Sequence, residues 1–340
     1  MMLQKLKAGD QLEKEILELK EKRNAIILAH NYQNSFVQNI ADYVGSSFEL
    51  AKKAQKIDCD IIVFCGVDFM ANTTKILNPD KVVVMPDYRA GCPLARMLKP
   101  HHIIEAKEKY PKAPVLLYTN SSVECQALAD AIYTAGNVLN VVEKMANEFN
   151  SNEVIFGPDL NMAYYVGKRL KKEIISIPKN SYCKPHIMIM PEFVEVLKEK
   201  HPKAKFMAHM ECFLAVQEMA DYVGSTGDMV KWIKEDSCEE WIVGTVESLI
   251  YRLSKEDPSK KFYPVRAGGR EISRCPNMDL TSLHKIKYSL AHFDEISGYN
   301  PCKPSNKDYS NYDNLNPRKI EIPEEIARKA RKAIENMLRF

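Results

Sequence analysis

Short apolar, β-branched runs alternate with amphipathic stretches along most of the chain. In the first hundred residues the runs read AIILAH (25–30), DYVG (42–45), DIIVFCG (60–66) and KVVVMP (81–86). Apolar runs of this length, separated by segments with helical periodicity, are typical of strands in a parallel sheet that is covered by helices. The pattern therefore predicts an α/β fold.

This pattern occurs three times, with a period of roughly ninety residues. The pair AH at 29–30 recurs at 208–209, and ADYVGS at 41–46 recurs at 220–225 with the same offset. A weaker copy, PVLLYTN followed by ALADAIYTAGN, lies near the midpoint. We therefore expect three α/β units with short parallel sheets, followed by a C-terminal helical segment that packs on the first unit. The expected boundaries are 1–99 with an N-terminal helix, 100–190, 191–278 and 279–340.

Polar side chains follow equivalent strands in all three units. In parallel sheets, ligands bind beyond the carboxyl ends of the strands. We expect the units to be related by a pseudo-threefold axis, with these ends directed at one central cavity that forms a single active site. The residues at these ends are His30, Tyr32, Ser47, Tyr118, Asn120, His209, Glu211, Ser225 and Thr226.

Three cysteines, Cys92, Cys183 and Cys275, lie in equivalent loops after the fourth apolar run of each unit. Three thiolates can hold a 4Fe-4S cluster and leave one iron open as a Lewis acid, which suits dehydration chemistry. Two other interpretations remain: three unrelated buried thiols, or a zinc ion on the same cysteines with His186 or water as its fourth ligand.

Charge and hydropathy narrow the range of partners. Lysine and arginine total 48 and aspartate and glutamate 45, for a formal net charge of +3. This balance argues against the basic surface that nucleic-acid binding requires. No run reaches the roughly 18 apolar residues of a membrane span, and the charged N-terminus lacks the apolar core of a signal peptide. We expect a cytoplasmic protein with reduced thiols and no membrane partner.

The motifs resemble those of the quinolinate synthase family, the iron-sulfur enzymes of NAD biosynthesis. The resemblance covers nearly the whole chain and includes ILAHNYQ, ADYVG, GVDFMA, GCPLA, YTNSSVE, CKPH, VGSTG and CPNM. It implies a pseudo-threefold fold with a 4Fe-4S cluster on Cys92, Cys183 and Cys275. It also implies condensation of iminoaspartate with dihydroxyacetone phosphate to quinolinate, with loss of phosphate and two waters, and a partner enzyme that produces the iminoaspartate.

The resemblance assigns roles to individual residues of this chain. The family's acid/base tyrosine corresponds to Tyr32, and its catalytic glutamate corresponds to Glu211. The positions that correspond to substrate-binding residues are His30, Ser47, Tyr118, Asn120, His186, His209, Ser225 and Thr226.

Five positions depart from the family pattern: Ser46, Asn72, Ala135, Met210 and Asp279. Ala135 stands where the family has a substrate-binding serine, so the departures concern substrate recognition rather than the cluster or the acid/base pair. Two alternatives therefore accompany the main prediction. One is a paralogue that acts on a related substrate, and the other is a metal or cluster sensor without catalysis.

Overall fold

The computed structural model describes residues 2–266, 273–302 and 315–340, with side chains from residue 10 onward. Its strands are short and, in the first three quarters of the chain, follow the predicted apolar runs. They are β1 (Ala25–His30), β2 (Tyr43–Gly45), β3 (Ile61–Cys65), β4 (Val82–Met85), β5 (Val115–Tyr118), β6 (Ala131–Tyr133), β7 (Glu153–Gly157), β8 (Glu173–Ser176), β9 (Lys205–His209), β10 (Tyr222–Gly224), β11 (Glu240–Gly244), β12 (Lys261–Pro264), β13 (Gly298–Tyr299) and β14 (Arg318–Ile320).

Helices connect most of these strands. They are α1 (Met2–Lys22), α2 (Ser35–Ile40), α3 (Ser47–Ala54), α4 (Asp68–Leu77), α5 (Pro93–Met97), α6 (Pro100–Lys109), α7 (Val123–Gln126), α8 (Val138–Glu148), α9 (Leu160–Leu170), α10 (Lys184–Ile187), α11 (Pro191–Lys200), α12 (Leu214–Glu218), α13 (Thr226–Glu235), α14 (Leu249–Glu256), α15 (Leu283–Ala291) and α16 (Glu324–Leu338), with 3₁₀ turns at Met278–Leu280 and Phe293–Glu295. None of the described helices combines the length and the apolar character needed to cross a bilayer.

Three separate sheets confirm the predicted α/β class. The strand orders are β2-β1-β3-β4 in the first repeat, β6-β5-β7-β8 in the second and β10-β9-β11-β12 in the third. Every pairing within these sets is parallel. The same order in three consecutive segments is the structural form of the sequence repeat.

Burial on both faces explains why the strands are continuously apolar. All six residues of β1 are buried. Ile27 on one face packs in a cluster with Ile16 of α1 and with Ile286 and Leu290 of α15. Because no face of this strand meets solvent, the sequence has no reason to alternate apolar with polar residues.

An aspartate at the start of each second strand ties it to the first. Its Oδ2 atom accepts a hydrogen bond of 2.7 Å from a backbone N–H of the neighbouring strand in every repeat. These aspartates are Asp42, Asp130 and Asp221. The tether fixes where the second strand begins, and therefore which residues stand at its carboxyl end.

The chain divides into two compact units: Met1–Cys92 with Pro276–Ala327, and Pro93–Cys275 with Arg328–Phe340. In the first unit the C-terminal segment is not purely helical, because β13 and β14 extend the first sheet and β14 runs antiparallel to β4. In the second unit, Asn336 of α16 donates a hydrogen bond of 2.7 Å to the carbonyl of Asp130. The boundaries 1–99, 100–190, 191–278 and 279–340, and the arrangement around one cavity, stay predictions.

A buried ion pair joins α15 to the end of β4 in the first unit. Asp87 has no exposed side-chain surface, and its carboxylate lies 2.6 Å from Nζ of Lys285 and 2.7 Å from Nη2 of Arg89. Burial alone would raise the pKa of Asp87, but the hydrogen bonds from these two cations outweigh it and lower the pKa. The ionised form is therefore the one that stabilises the fold.

We expect Asp87→Asn to lower the free energy of unfolding at neutral pH by about 1.5–3 kcal/mol, the value of hydrogen bonds to a charged group. Urea denaturation measures this loss. Because the pKa is lower in the folded chain, the stabilisation is present above the unfolded pKa of about 3.9 and is lost as the pH falls through the folded pKa. The difference between variant and parent should therefore shrink in acid. Asp294→Asn removes an exposed ion pair with Arg23 and should change stability by less than about 1 kcal/mol.

Candidate active site

The last residue of the first strand occupies the same position in each repeat. This residue is His30, Tyr118 or His209, and in each case it is paired in register with the last residue of the second strand. All three side chains are buried. The structure thus places these predicted site residues at equivalent strand ends.

Two residues further on, each repeat carries another predicted site residue: Tyr32, Asn120 or Glu211. In the first repeat Nδ1 of His30 accepts a hydrogen bond of 3.2 Å from the backbone N–H of Tyr32. In the third repeat Nδ1 of His209 accepts the equivalent bond of 3.3 Å from Glu211. In its neutral form each imidazole therefore carries its proton on Nε2.

A buried glutamine brackets this second residue in every repeat. Its side-chain amide donates to the backbone carbonyls on both sides of the bracketed residue, at 2.9 and 2.8 Å in the third repeat. Sequence reasoning missed these glutamines, although each stands eight residues after the strand-end residue. The pairs are Gln38 around Tyr32, Gln126 around Asn120 and Gln217 around Glu211.

We expect Gln217→Met to lower kcat about tenfold, which corresponds to about 1.4 kcal/mol of transition-state stabilisation. Methionine keeps the volume but leaves the carbonyls of Met210 and Cys212 without their donor, so the loop that carries Glu211 loosens. Steady-state kinetics measures the effect, and Gln55→Met serves as control because Gln55 donates to one distant carbonyl. An unchanged kcat with lowered thermal stability would show that the bracket supports the fold alone.

In the first and third repeats a helix begins directly after the second strand. Ser46 caps α3 together with Glu49, and Ser225 caps α13 together with Asp228. The hydroxyl of Ser225 lies 2.7 Å from the Asp228 carboxylate, so its first role is to hold the helix start. Ser47 and Thr226 are buried at the first helical position (7% and 6% exposed). The backbone N–H groups and the dipole of a helix start favour phosphate or carboxylate.

The second repeat differs at this point. Asn137 accepts hydrogen bonds of 2.7 and 2.9 Å from the backbone N–H and the hydroxyl of Thr134, and α8 begins only at Val138. Ala135 is half-buried at the position that Ser47 and Thr226 hold in the other repeats. One repeat therefore lacks the hydroxyl that the other two present.

Three other departures from the family pattern lie in the described part of the chain. Asn72 is buried in α4, and its Oδ1 makes no hydrogen bond within the described ranges. Met210 is buried, and its carbonyl is held by the Gln217 bracket. Asp279 lies in the 3₁₀ turn that precedes α15.

A buried cluster forms in the second unit around Glu211. Helix α10 starts directly after Cys183, which brings Nδ1 of His186 to 3.1 Å from the Cys183 sulfur. The same Nδ1 lies 2.8 Å from Oε2 of Glu211, and Nε2 lies 2.9 Å from the hydroxyl of Thr245. The rings of His186 and His209 stack with centroids 4.6 Å apart. The structure therefore brings four predicted site residues together, and we call Cys183, His186, His209 and Glu211 the Glu211 cluster.

Two buried carboxyl groups in this region have opposite pKa shifts. Burial would raise the pKa of Glu211, but the charge and hydrogen bond of His186 outweigh it and lower the pKa to about 2. Burial and the Glu211 charge raise the pKa of Asp159 well above its usual value. Burial also lowers the pKa of His209 to about 3. Carboxyl pairs separated in this way can serve as base and acid in one site.

The three cysteines in equivalent loops of the repeats are more exposed than the cysteines of the core. Cys92, Cys183 and Cys275 are half-buried, whereas Cys65, Cys125 and Cys212 are fully buried and burial raises the pKa of each. The backbone N–H of Cys92 donates to Asp68 at 3.0 Å, and that of Cys183 donates to Asp159 at 2.9 Å. Among the described residues, Cys183, His186 and Glu211 gather possible ligand atoms within 4.8 Å of one another.

Parallel sheets with buried ionisable groups at their strand ends are the setting of an α/β enzyme site. The sequence model of the family described as Quinolinate synthetase A protein matches residues 14–339, so the chain belongs to that family. The chain is 50% identical over 329 residues to the quinolinate synthase of Pyrococcus horikoshii, covering 96% of this chain and 98% of the relative. It is 41% identical over 331 residues to that of Methanothermobacter thermautotrophicus, covering 97% and 98%. It is 44% identical over 276 residues to that of Thermotoga maritima, covering 81% and 89%.

Proposed function

We propose that this chain forms quinolinate from iminoaspartate and dihydroxyacetone phosphate, with loss of phosphate and two waters. The observation that carries the proposal is the Glu211 cluster. In a chain that matches the family over residues 14–339, a buried carboxylate lies 2.8 Å from Nδ1 of His186, which in turn lies 3.1 Å from a half-buried thiol. A carboxylate that is shielded from water and hydrogen-bonded to an imidazole can accept and return protons during isomerisation and cyclisation.

We propose that Cys92, Cys183 and Cys275 hold a 4Fe-4S cluster. Half-burial leaves their thiols accessible to a ligand, whereas thiols closed off in the core resist ionisation. Cys238 and Cys302 are also half-buried, so it is the spacing of the three across the repeats that distinguishes them. The hydrogen bonds of Asp68 and Asp159 fix the backbone at Cys92 and Cys183. When bound, such a cluster offers one iron without a protein ligand as a Lewis acid for a hydroxyl that leaves as water.

The remaining residues bind substrate and move protons. Glu211 accepts a proton at its carboxylate, and Tyr32 donates or accepts one at its phenol oxygen. Ser47 and Thr226 each present a hydroxyl at a helix start, a position that favours phosphate or carboxylate. Ser225 orients the same helix start through its cap. The other proposed substrate contacts are His30, Tyr118, Asn120, His186 and His209.

The chemistry of iminoaspartate indicates how this substrate must reach the chain. Iminoaspartate is an imine, and imines hydrolyse in water, so the compound must come from an enzyme that oxidises the amino group of aspartate nearby. We propose such an enzyme as the functional partner of this chain.

Anaerobic reconstitution tests the proposed reaction. The full chain is loaded with iron and sulfide, and the cluster is verified by metal and sulfide analysis and by Mössbauer spectroscopy. Supplied with iminoaspartate and dihydroxyacetone phosphate, the loaded chain should yield quinolinate, detected by chromatography. An intact cluster with no quinolinate would refute the proposed reaction, and turnover of a related substrate would identify a paralogue.

A further inference from the structure

We propose that the cluster-free chain binds one divalent transition-metal ion, zinc by preference, through Cys183, His186 and Glu211. This ion binds the Cys183 thiol, which the cluster also requires as a ligand. Zinc and the cluster therefore cannot be bound at the same time. The exclusion rests on the proposed role of Cys183 as a cluster ligand, whereas the ion site itself stands on the geometry below.

The donor atoms are almost at zinc-site separations already. Nδ1 of His186 lies 3.1 Å from the Cys183 sulfur and 2.8 Å from Oε2 of Glu211. Zinc binds sulfur at about 2.3 Å and nitrogen or oxygen at about 2.0–2.2 Å, which places tetrahedral ligand atoms about 3.3–3.6 Å apart. The nitrogen–sulfur and nitrogen–oxygen separations therefore need to widen by only about half an ångström around an ion. The Cys183 sulfur and the Glu211 carboxylate lie within 4.8 Å of each other.

An unsatisfied oxygen points independently to a cation. Glu211 is 3% exposed, and its Oε1 makes no hydrogen bond within the described part of the chain. A buried carboxylate oxygen without a partner is unfavourable, and a cation that both carboxylate oxygens face removes the deficit. His186 alone cannot do so, because its Nδ1 faces Oε2.

Surrounding hydrogen bonds hold the three ligands in place. When Nδ1 of His186 binds metal, Nε2 carries the proton and donates a hydrogen bond to the hydroxyl of Thr245, 2.9 Å away. The backbone N–H of Cys183 is fixed by Asp159 at 2.9 Å, and the carbonyl of Glu211 is fixed by the side chain of Asn161 at 3.1 Å. Such supporting contacts raise metal affinity by fixing the orientation of the ligands.

The charges and the donor types favour zinc. Binding converts the Cys183 thiol to thiolate, and the released proton passes to solvent. Thiolate and the Glu211 carboxylate together neutralise a divalent ion, with water as the fourth ligand. A mixed sulfur, nitrogen and oxygen set binds zinc more tightly than ferrous iron. Free zinc should therefore capture this site before a cluster is assembled.

Cobalt serves as a spectroscopic probe of this site. The full chain, stripped of iron by a chelator and kept anaerobic, should bind one equivalent of cobalt with a thiolate charge-transfer band and the visible bands of a tetrahedral ion. Zinc should displace it. Cys183→Ala should abolish the charge-transfer band, and His186→Ala and Glu211→Gln should each weaken binding by about tenfold or more.

Two cysteines provide matched controls. Cys92→Ala and Cys275→Ala should bind cobalt as tightly as the parent chain, because their sulfurs are not among the proposed ligands. Loss of binding in these variants would indicate a three-cysteine metal site and overturn the proposal, as would the absence of any bound cobalt. Circular dichroism verifies that the variants fold.

Reconstitution separates this inference from the proposed reaction. Prior loading with zinc should reduce the cluster content reached with iron and sulfide, and a chelator should restore it. Full cluster assembly on zinc-loaded chain would contradict the exclusion of cluster by zinc. Quinolinate formation is measured separately with protein that has not been exposed to zinc, and that measurement tests the proposed function alone.

Discussion

Replacing Glu211 with glutamine is expected to lower kcat for quinolinate formation by about 10²- to 10⁴-fold, the usual contribution of a general acid or base. Glutamine keeps the volume and can still accept the hydrogen bond from Nδ1 of His186. It cannot hold a proton at its carbonyl oxygen, and it removes the negative charge that His186 stabilises at 2.8 Å. The loss should therefore appear in kcat rather than in KM, as measured by steady-state kinetics.

Glu218→Gln is the matched control for this measurement. Glu218 follows Glu211 closely in sequence, but its carboxylate is about half exposed and pairs with Lys168 at the surface. Exposed pairs of this kind contribute about 0–1 kcal/mol to stability, so the control should retain the activity of the parent chain. Near-normal kcat in Glu211→Gln, with the cluster content verified, would show that the carboxylate takes no part in proton transfer.

Replacing Ala135 with serine is expected to raise catalytic efficiency about ten- to a hundredfold. Ala135 occupies the position that carries Ser47 in the first repeat and Thr226 in the third, so serine restores the hydroxyl that the second repeat lacks. A hydrogen bond to a charged substrate oxygen is worth about 1.5–3 kcal/mol, and about 1.4 kcal/mol corresponds to a factor of ten. The ratio kcat/KM for each substrate measures the gain.

Ala127→Ser controls for the addition of a hydroxyl elsewhere. Ala127 is also half-buried, but it follows α7 and is not at a strand-end position. Its replacement should leave kcat/KM unchanged. If Ala135→Ser has unchanged or lower efficiency, the second repeat has been adapted to a different ligand or position 135 does not face the substrate.

Apolar runs and repeated motifs were sufficient to predict the α/β class and the strands of the three repeats. Strands buried on both faces are continuously apolar, so β1 and β3 are recognisable without any knowledge of their neighbours. The repeat then gave the strand-end positions of His30, Tyr118 and His209, since the same register recurs in all three sheets.

Features that depend on distant contacts were not predictable from local pattern. Strand β13 has two residues and β14 has three, with mostly polar or small side chains, so their pairing beside β4 leaves no periodic signal. The Glu211 cluster joins Cys183 and His186, at the start of α10, to His209 and Glu211, at the end of β9. The glutamine brackets were visible as a repeat, but glutamine is uncommon as a catalytic residue and gave no chemical signal.

The glutamine brackets have an evolutionary consequence. The side-chain amides of Gln38, Gln126 and Gln217 donate to main-chain oxygens, so these bonds do not depend on which side chain the loop carries. Tyrosine, asparagine and glutamate stand in those three places, so the same bracketed loop is compatible with a phenol, an amide and an acid. Directed evolution of a new activity should begin at these three codons.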